Sequence, residues 1–421
     1  YSAYQESKCY GLISDYDRQE KCLKGLILGS EESPYFERSL IDLATLYKNQ
    51  NKNEEAIIYY DKVINLSKDD EVLSKSLLNK GLIYFNEENF ESSILCLKEV
   101  IENYPRTVSF SNAKIGLKDA YLQMGSINEY LSYINKIPQL DISVSAKDSL
   151  SYKAAYNRFN KAEYYDSKIQ FKSYLENFGE SSIFYKQSLY YYGESCWKTK
   201  DTLLAIESFQ LVVDLGVSVF YEPSLVKICR YFYNTKDVEL SNKYYQLLDS
   251  TASSNGLKRE SIIRLMFGFE RLNEKLAVSY ANRVLKSGKL NDRLVARSKL
   301  IIARNDFNIG NFARSSNLCD EIVALTNNED GSEAMYMKSY FSFLNDDYIK
   351  IEELVFQLAE EYSSNHWIAK GFILLSDVYV KQKNYYQAKA TLESIIENHD
   401  GLELVNEAKF KWEQIVEKEQ I

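Results

Sequence analysis

Along most of this chain apolar residues recur three and four positions apart, in runs broken by short polar links, a pattern that predicts amphipathic helices. The runs come in pairs. Aligned on the residue at the middle of each first run, positions 10, 44, 81, 118, 155, 193, 229, 265, 303, 339 and 376 fall into register with steps of 34 to 38. One clear unit reads Leu40, Leu43, Ala44, Tyr47, then Ala56, Tyr60 and Val63; the next reads Leu77, Gly81, Tyr84, then Ser93, Leu97, Val100 and Pro105. A second strong pair is Leu189, Tyr192, Gly193 and Cys196 with Ala205, Phe209 and Val212. A small residue at Ala44 or Gly81 lets the second helix cross close to the first, and Ala56 or Ser93 twelve positions on receives it. No single hairpin can bury its own apolar stripe, so each must stack on the next. The expectation is an all-α solenoid of about eleven hairpins over 1–401.

Fidelity varies along the array. The fourth unit carries Lys118 and Tyr130 at its two small positions, and the eighth and tenth carry Leu265 and Ile351 there. Gly125 and Gly310, and the polar stretches 49–53, 345–347 and 381–384, are expected at turns inside hairpins. The last hairpin is strong again, with Phe372, Leu375, Ser376, Tyr379, Ala388, Leu392 and Ile395. After it, Leu402, Val405, Ala408, Trp412, Ile415 and Val416 predict one amphipathic helix over 402–421 that caps the final apolar face. No Pro/Gly/Ser-rich linker divides the chain, and 251–256 and 326–332 are the stretches expected to bend its path.

Composition supports helices: 4 prolines and 16 glycines in 421 residues are too few for a protein of many tight turns. No apolar run approaches the length of a membrane span. The 51 basic and 60 acidic residues, net −9, are interspersed without a basic stripe, which argues against a nucleic-acid partner. The six cysteines, at 9, 22, 96, 196, 229 and 319, lack metal-ligand or redox spacing and are expected as buried thiols. The chain opens at Tyr1 without methionine or signal-like segment, as a processed form or an excised segment would.

Catalytic signatures are missing from the sequence. It has no GK[ST] phosphate loop, GxGxxG, HExxH or GxSxG. The two histidines, His366 and His399, fall where links between helices are expected, and Glu352-Glu353 and Glu360-Glu361 have the spacing of exposed helix faces. The reading is a non-enzyme without cofactor or metal.

The quoted units resemble the tetratricopeptide repeat, whose pattern is a large apolar residue, Leu-Gly/Ala and Tyr, followed by Ala, Phe/Tyr, Ala and a terminal Pro. The resemblance runs over nearly the whole chain and implies a right-handed superhelix whose first helices line a concave groove. In such an array the groove positions of the fifth unit are Tyr152, Tyr156 and Phe159, and those of the sixth are Tyr190, Glu194 and Trp197. The seventh gives Val226, Arg230 and Tyr233, and the tenth Tyr336, Tyr340 and Phe343. Tyr, Trp and Arg bring large contact area with a polar handle, the usual make-up of binding hot spots. The alternative role for aromatics at this spacing is core packing.

The junctions Val100-Ile101-Glu102-Asn103-Tyr104-Pro105, Tyr174 to Gly179 and Ala359 to Ser364 resemble those of bacterial envelope repeat proteins. Among these are the lipoprotein of outer-membrane assembly, the periplasmic coordinator of the Tol-Pal system, and long Bacteroidota envelope proteins. The functional expectation is a scaffold that holds a protein or peptide in its groove, in a periplasmic or outer-membrane-associated complex. Two alternatives stand beside it: a cytoplasmic peptide-sensing regulator, and the interaction module of a larger protein. The Lys/Asn pattern of chaperone-binding carboxylate clamps is not evident.

Overall fold

The computed structural model describes residues 2–29 and 31–419. Within them are 23 α-helices and one short 3-10 turn, with no strand. The chain divides into two compact units, 1–215 and 216–421.

The first unit holds six hairpins. They are α1 (Ser2–Leu12) with α2 (Tyr16–Gly29), α3 (Phe36–Asn49) with α4 (Asn53–Leu66), and α5 (Asp70–Asn86) with α6 (Phe90–Asn103). Then come α7 (Ser109–Met124) with α8 (Ile127–Ile134), α9 (Val144–Asn160) with α10 (Tyr164–Phe178), and α11 (Tyr185–Lys198) with α12 (Thr202–Asp214). The second unit holds five: α13 (Tyr221–Asn234) with α14 (Val238–Thr251), α15 (Asn255–Phe269) with α16 (Glu274–Leu285), and α17 (Asp292–Asn308) with α18 (Phe312–Leu325). The last two are α19 (Glu329–Leu344) with α20 (Tyr348–Glu361) and α21 (Asn365–Lys381) with α22 (Tyr385–Asn398), followed by the single helix α23 (Leu402–Glu419). The sequence register and the observed hairpins coincide one for one. The stretches 251–256 and 326–332 hold the helix caps Ser254 and Asn328 and run into α15 and α19.

Each hairpin packs through its small positions. A Cβ added to Gly193 would lie 2.8 Å from the fully buried Phe209, and one added to Gly81 would lie 3.1 Å from Leu97. Ala44, Ala155, Cys229, Ala303 and Ser339 stand at the same place in their hairpins, and all are buried. Burying a large apolar side chain is worth about 1.5–3 kcal/mol, so a core repeated at every hairpin supplies most of the stability. The degenerate positions are buried as well, at Tyr130, Leu265 and Ile351. In the fourth hairpin, with its Lys118 and Tyr130, α8 has only eight residues, and the Pro138–Leu140 turn follows it.

Ten of the eleven hairpins turn in one way. A left-handed residue follows the first helix: Ser14, Asn51, Glu88, Gly125, Ala162, Lys200, Lys236, Gly310, Asp346 and Lys383. The next N–H then donates five residues back, as in Asn89 N to Tyr84 O at 2.9 Å and Asn384 N to Tyr379 O at 2.8 Å. The side chains of Asn89, Asp237, Asp347 and Asn384 at that same place cap the second helix.

Three expectations need correction. Cys96, Cys196, Cys229 and Cys319 are buried, but Cys9 is exposed and Cys22 only half-buried. His366 lies in the first turn of α21 rather than in a loop, edge-on to Trp367. On α23 the buried residues are Leu404, Val405, Ala408 and Ile415, while Leu402 is 78% exposed. Trp412 is half-buried and donates from Nε1 to Glu393 at 2.9 Å. The last two residues of the expected cap, 420 and 421, lie outside the described residues.

Candidate functional site

In the first unit α9 and α11 bring together a sheet of half-buried aromatic rings. Tyr152 lies at its centre, stacked on Phe184 at 4.3 Å and parallel to Tyr156 at 5.8 Å, with Phe171 and Tyr174 tilted against it. Tyr156 meets Tyr191 edge-on at 4.9 Å, and Phe159 packs on Tyr191 at 5.0 Å and Tyr164 at 5.5 Å. Tyr190 joins the sheet through Tyr191 at 5.3 Å and Phe209 at 6.0 Å. Trp197 is half-buried on the same helix, and Glu194 is 8% exposed. Burial pushes the Tyr152 phenol up to about 12, and burial with the Glu194 charge does the same for Tyr190.

The sheet is anchored by a buried carboxylate on α9. Asp148 accepts from the Ile183 N–H at 2.9 Å and from the Tyr174 hydroxyl, which itself accepts from the Phe184 N–H at 3.3 Å. The junction between α10 and α11 is thereby pinned, and with it the ring of Phe184.

In the second unit Arg230 is exposed on α13, but its guanidinium is held by both oxygens of Glu260 on α15, at 3.0 and 2.8 Å. Tyr245 donates to the same carboxylate at 3.2 Å. Tyr233 is 38% exposed, and the Arg264 guanidinium lies 3.9 Å from its ring centre. Val226 is half-buried. In the tenth hairpin Tyr336 packs on Trp367 at 5.3 Å, and Tyr340 on Phe343 at 6.1 Å. A charged network joins three first helices: Arg297 binds Glu270 at 2.8 Å and Asp330 at 2.6 Å, and Arg304 binds Glu270 at 2.7 Å and also Glu333.

Of the eight expected site residues, Tyr152, Tyr156, Phe159 and Tyr190 join the aromatic sheet directly, and Glu194 and Trp197 sit beside it on α11. Arg230 and Tyr233 share α13 in the second unit. Sequence reasoning missed Phe184, Tyr191 and Asp148, which lie off the expected groove positions. It also missed the charged network, although a signal exists: Arg304 is 34 residues from Glu270 and Arg297 is 33 from Asp330, one repeat apart. Arg283 with Asp249 and Lys411 with Asp377 repeat this spacing at 34. Among the described residues no group of three or more His, Cys, Asp or Glu could hold a metal ion, and no helix is long and apolar enough to cross a membrane.

Stacked helical hairpins that present rings and paired charges on their first helices define a helical-repeat binding scaffold. Residues 37–70, 74–107 and 372–401 match tetratricopeptide-repeat family models. No curated protein matches the chain by sequence. Among solved structures it is similar to yeast Tom70, with 13% identity, 100% of this chain and 96% of that one covered, and a TM-score of 0.33. It is also similar to a tetratricopeptide repeat protein from Parabacteroides merdae, with 14% identity, 62% and 96% covered, and a TM-score of 0.31.

Proposed function

We propose that this protein is a non-catalytic scaffold that holds an extended or helical peptide segment of a protein partner on the aromatic face of α9 and α11. Residues 1–401 serve as the interaction array and 402–421 as its C-terminal cap. The observation that carries this reading is the sheet of Tyr152, Tyr156, Phe159, Tyr190 and Tyr191, rings that remain half-open to solvent instead of closing into the core. Such rings offer large contact area, few rotamers to freeze, and a phenolic hydroxyl as polar handle. In the second unit, taken by itself, the Arg230–Glu260 pair and Tyr233 are proposed as partner-contacting residues. The envelope-type junctions at 100–105, 174–179 and 359–364 support a site of action in a bacterial envelope complex, periplasmic or outer-membrane-associated.

The test is peptide selection from a random display library on the intact chain, followed by affinity measurement with Tyr156→Ala and Trp197→Ala. Each variant is expected to bind the selected peptides at least about tenfold more weakly, the scale of a hot-spot truncation. Circular dichroism melts should stay near the parent's. Undiminished binding by both variants would overturn the assignment of this face.

A further inference from the structure

The eighth hairpin departs from the repeat at one point, and a pocket opens there. Three residues after the central position of the first helix, five hairpins carry an aromatic ring, Tyr47, Tyr84, Tyr121, Phe232 and Tyr379, and five carry another side chain, Ile13, Arg158, Cys196, Asp306 and Ser342. This ring reaches toward the preceding second helix, as the Tyr379 hydroxyl does when it donates to Glu352 at 2.8 Å. At the same place α15 carries Gly268. The facing residue on α14, where Ile57, Ile94 and Ile206 stand in other hairpins, is Asn242, and its side chain fills part of the vacated volume. A Cβ at Gly268 would lie 1.9 Å from the Asn242 Oδ1, so the arrangement requires glycine. The α15–α16 turn is also the one without a left-handed residue. Beside Asn242 lies a cavity of about 570 Å³, walled by Phe232, Tyr233, Val238, Phe267 and Leu272.

The polar groups of this cavity are unevenly satisfied. Asn242 is 5% exposed, and its Nδ2 has no acceptor. Among the described residues Arg264 makes no hydrogen bond or ion pair, and its guanidinium rests on the Tyr233 ring. Lys236 and Arg271 add two further cations to the rim. The two acids of the lining are already committed: Asp237 caps α14 through the Leu240 N–H at 3.0 Å, and Glu270 binds Arg297 and Arg304. What remains is a set of donors in an apolar wall, with the Glu260 carboxylate one turn away acting on Arg264 through its charge but committed by hydrogen bonds to Arg230 and Tyr245.

We propose that this pocket binds a small organic acid, a carboxylate on an aromatic or branched apolar body. The carboxylate takes the Arg264 guanidinium and the Asn242 amide, and the body packs on Phe232, Phe267 and Leu272. A volume of this size is that of a ligand pocket, and the cavity lies at the one hairpin where this position has no side chain at all, which suits one compact molecule better than a run of peptide. The site is independent of the aromatic face on α9 and α11.

Isothermal titration of the intact chain with indole-3-acetate, 3-phenylpropionate and 4-methylvalerate, each paired with its neutral amide, tests the assignment. At least one acid should bind, and at least about tenfold more tightly than its amide, as loss of a charge-assisted hydrogen bond implies. Arg264→Gln should weaken that binding by a similar factor at an unchanged melting temperature. The pair Asn242→Ile/Gly268→Tyr, which restores the repeat, should abolish binding while melting no lower than the parent; should that variant fold poorly, Arg264→Gln alone decides. Equal binding of acid and amide, indifference to Arg264→Gln, or no binding by any acid overturns the proposal. So does tighter binding of an end-blocked acidic-aromatic peptide, which would assign the pocket to a protein segment.

Discussion

Arg230 and Glu260 show how single residues here tie one first helix to the next. The bidentate Arg230 contact holds the Glu260 carboxyl below its ordinary range, working against partial burial, with a further contribution from the Tyr245 hydroxyl. A carboxyl whose value is lowered on folding adds stability that is present above its unfolded value, about 4.3, and lost as pH falls through the folded value. Thermal melts of Glu260→Gln should therefore lie below the parent at pH 7, with the gap closing as the pH is taken from about 5 toward 3. A constant gap across that window would show that the pair contributes by packing alone. Gly193 makes the complementary point in the core. Its Cβ-free backbone admits Phe209 at a distance no alanine would permit, so this small residue fixes a crossing angle rather than flexibility.

At the scale of the helical hairpin, the recurring unit is the turn. Its left-handed residue is a glycine at Gly125 and Gly310 but a residue with a side chain at eight other places, Glu88 and Lys200 among them. A left-handed non-glycine residue costs on the order of 1–3 kcal/mol, partly offset by the larger chain entropy glycine loses on folding. Glu88→Gly and Lys200→Gly are each expected to stabilise by about 0.5–1 kcal/mol, and Gly310→Ala to destabilise by about 1 kcal/mol, read from urea midpoints. The reverse order would show that other contacts of these side chains outweigh the backbone term. Only the two glycines and the polar composition of the links were legible in the sequence. The choice of left-handed residue elsewhere follows from the closure between consecutive helices, a demand of geometry that Glu, Lys and Ala do not announce.

For the molecule as a whole, the core is a series of neighbouring clusters. One gathers Leu97, Leu117, Tyr121 and Ile134 over α5 to α9, and another gathers Ile373, Leu375, Leu392 and Ala408 over α19 to α23. Repeat arrays couple mainly between neighbours. Leu97→Ala should cost about 2–5 kcal/mol locally and speed amide exchange across α5 to α7, leaving α21 to α23 protected. Hydrogen exchange read by mass spectrometry distinguishes this from a uniform loss, which would mean that the chain opens as one cooperative body.

The sequence by itself determined the helices, their pairing into eleven hairpins, and the register, because a period of about 37 must place one residue of each first helix against the next helix. It also marked Tyr152, Tyr156, Phe159 and Tyr190 as aromatic members of the first helices. Tertiary structure alone decided which rings meet, since Phe184 enters the sheet through a junction that buried Asp148 pins, and Tyr191 enters from outside the expected groove positions. It decided as well that Arg230 pairs with Glu260 and that the gap left by Gly268 becomes a pocket. Periodicity records which positions share a face of one helix; the contacts depend on which side chains of neighbouring helices reach the same space, and that is fixed only when the hairpins pack.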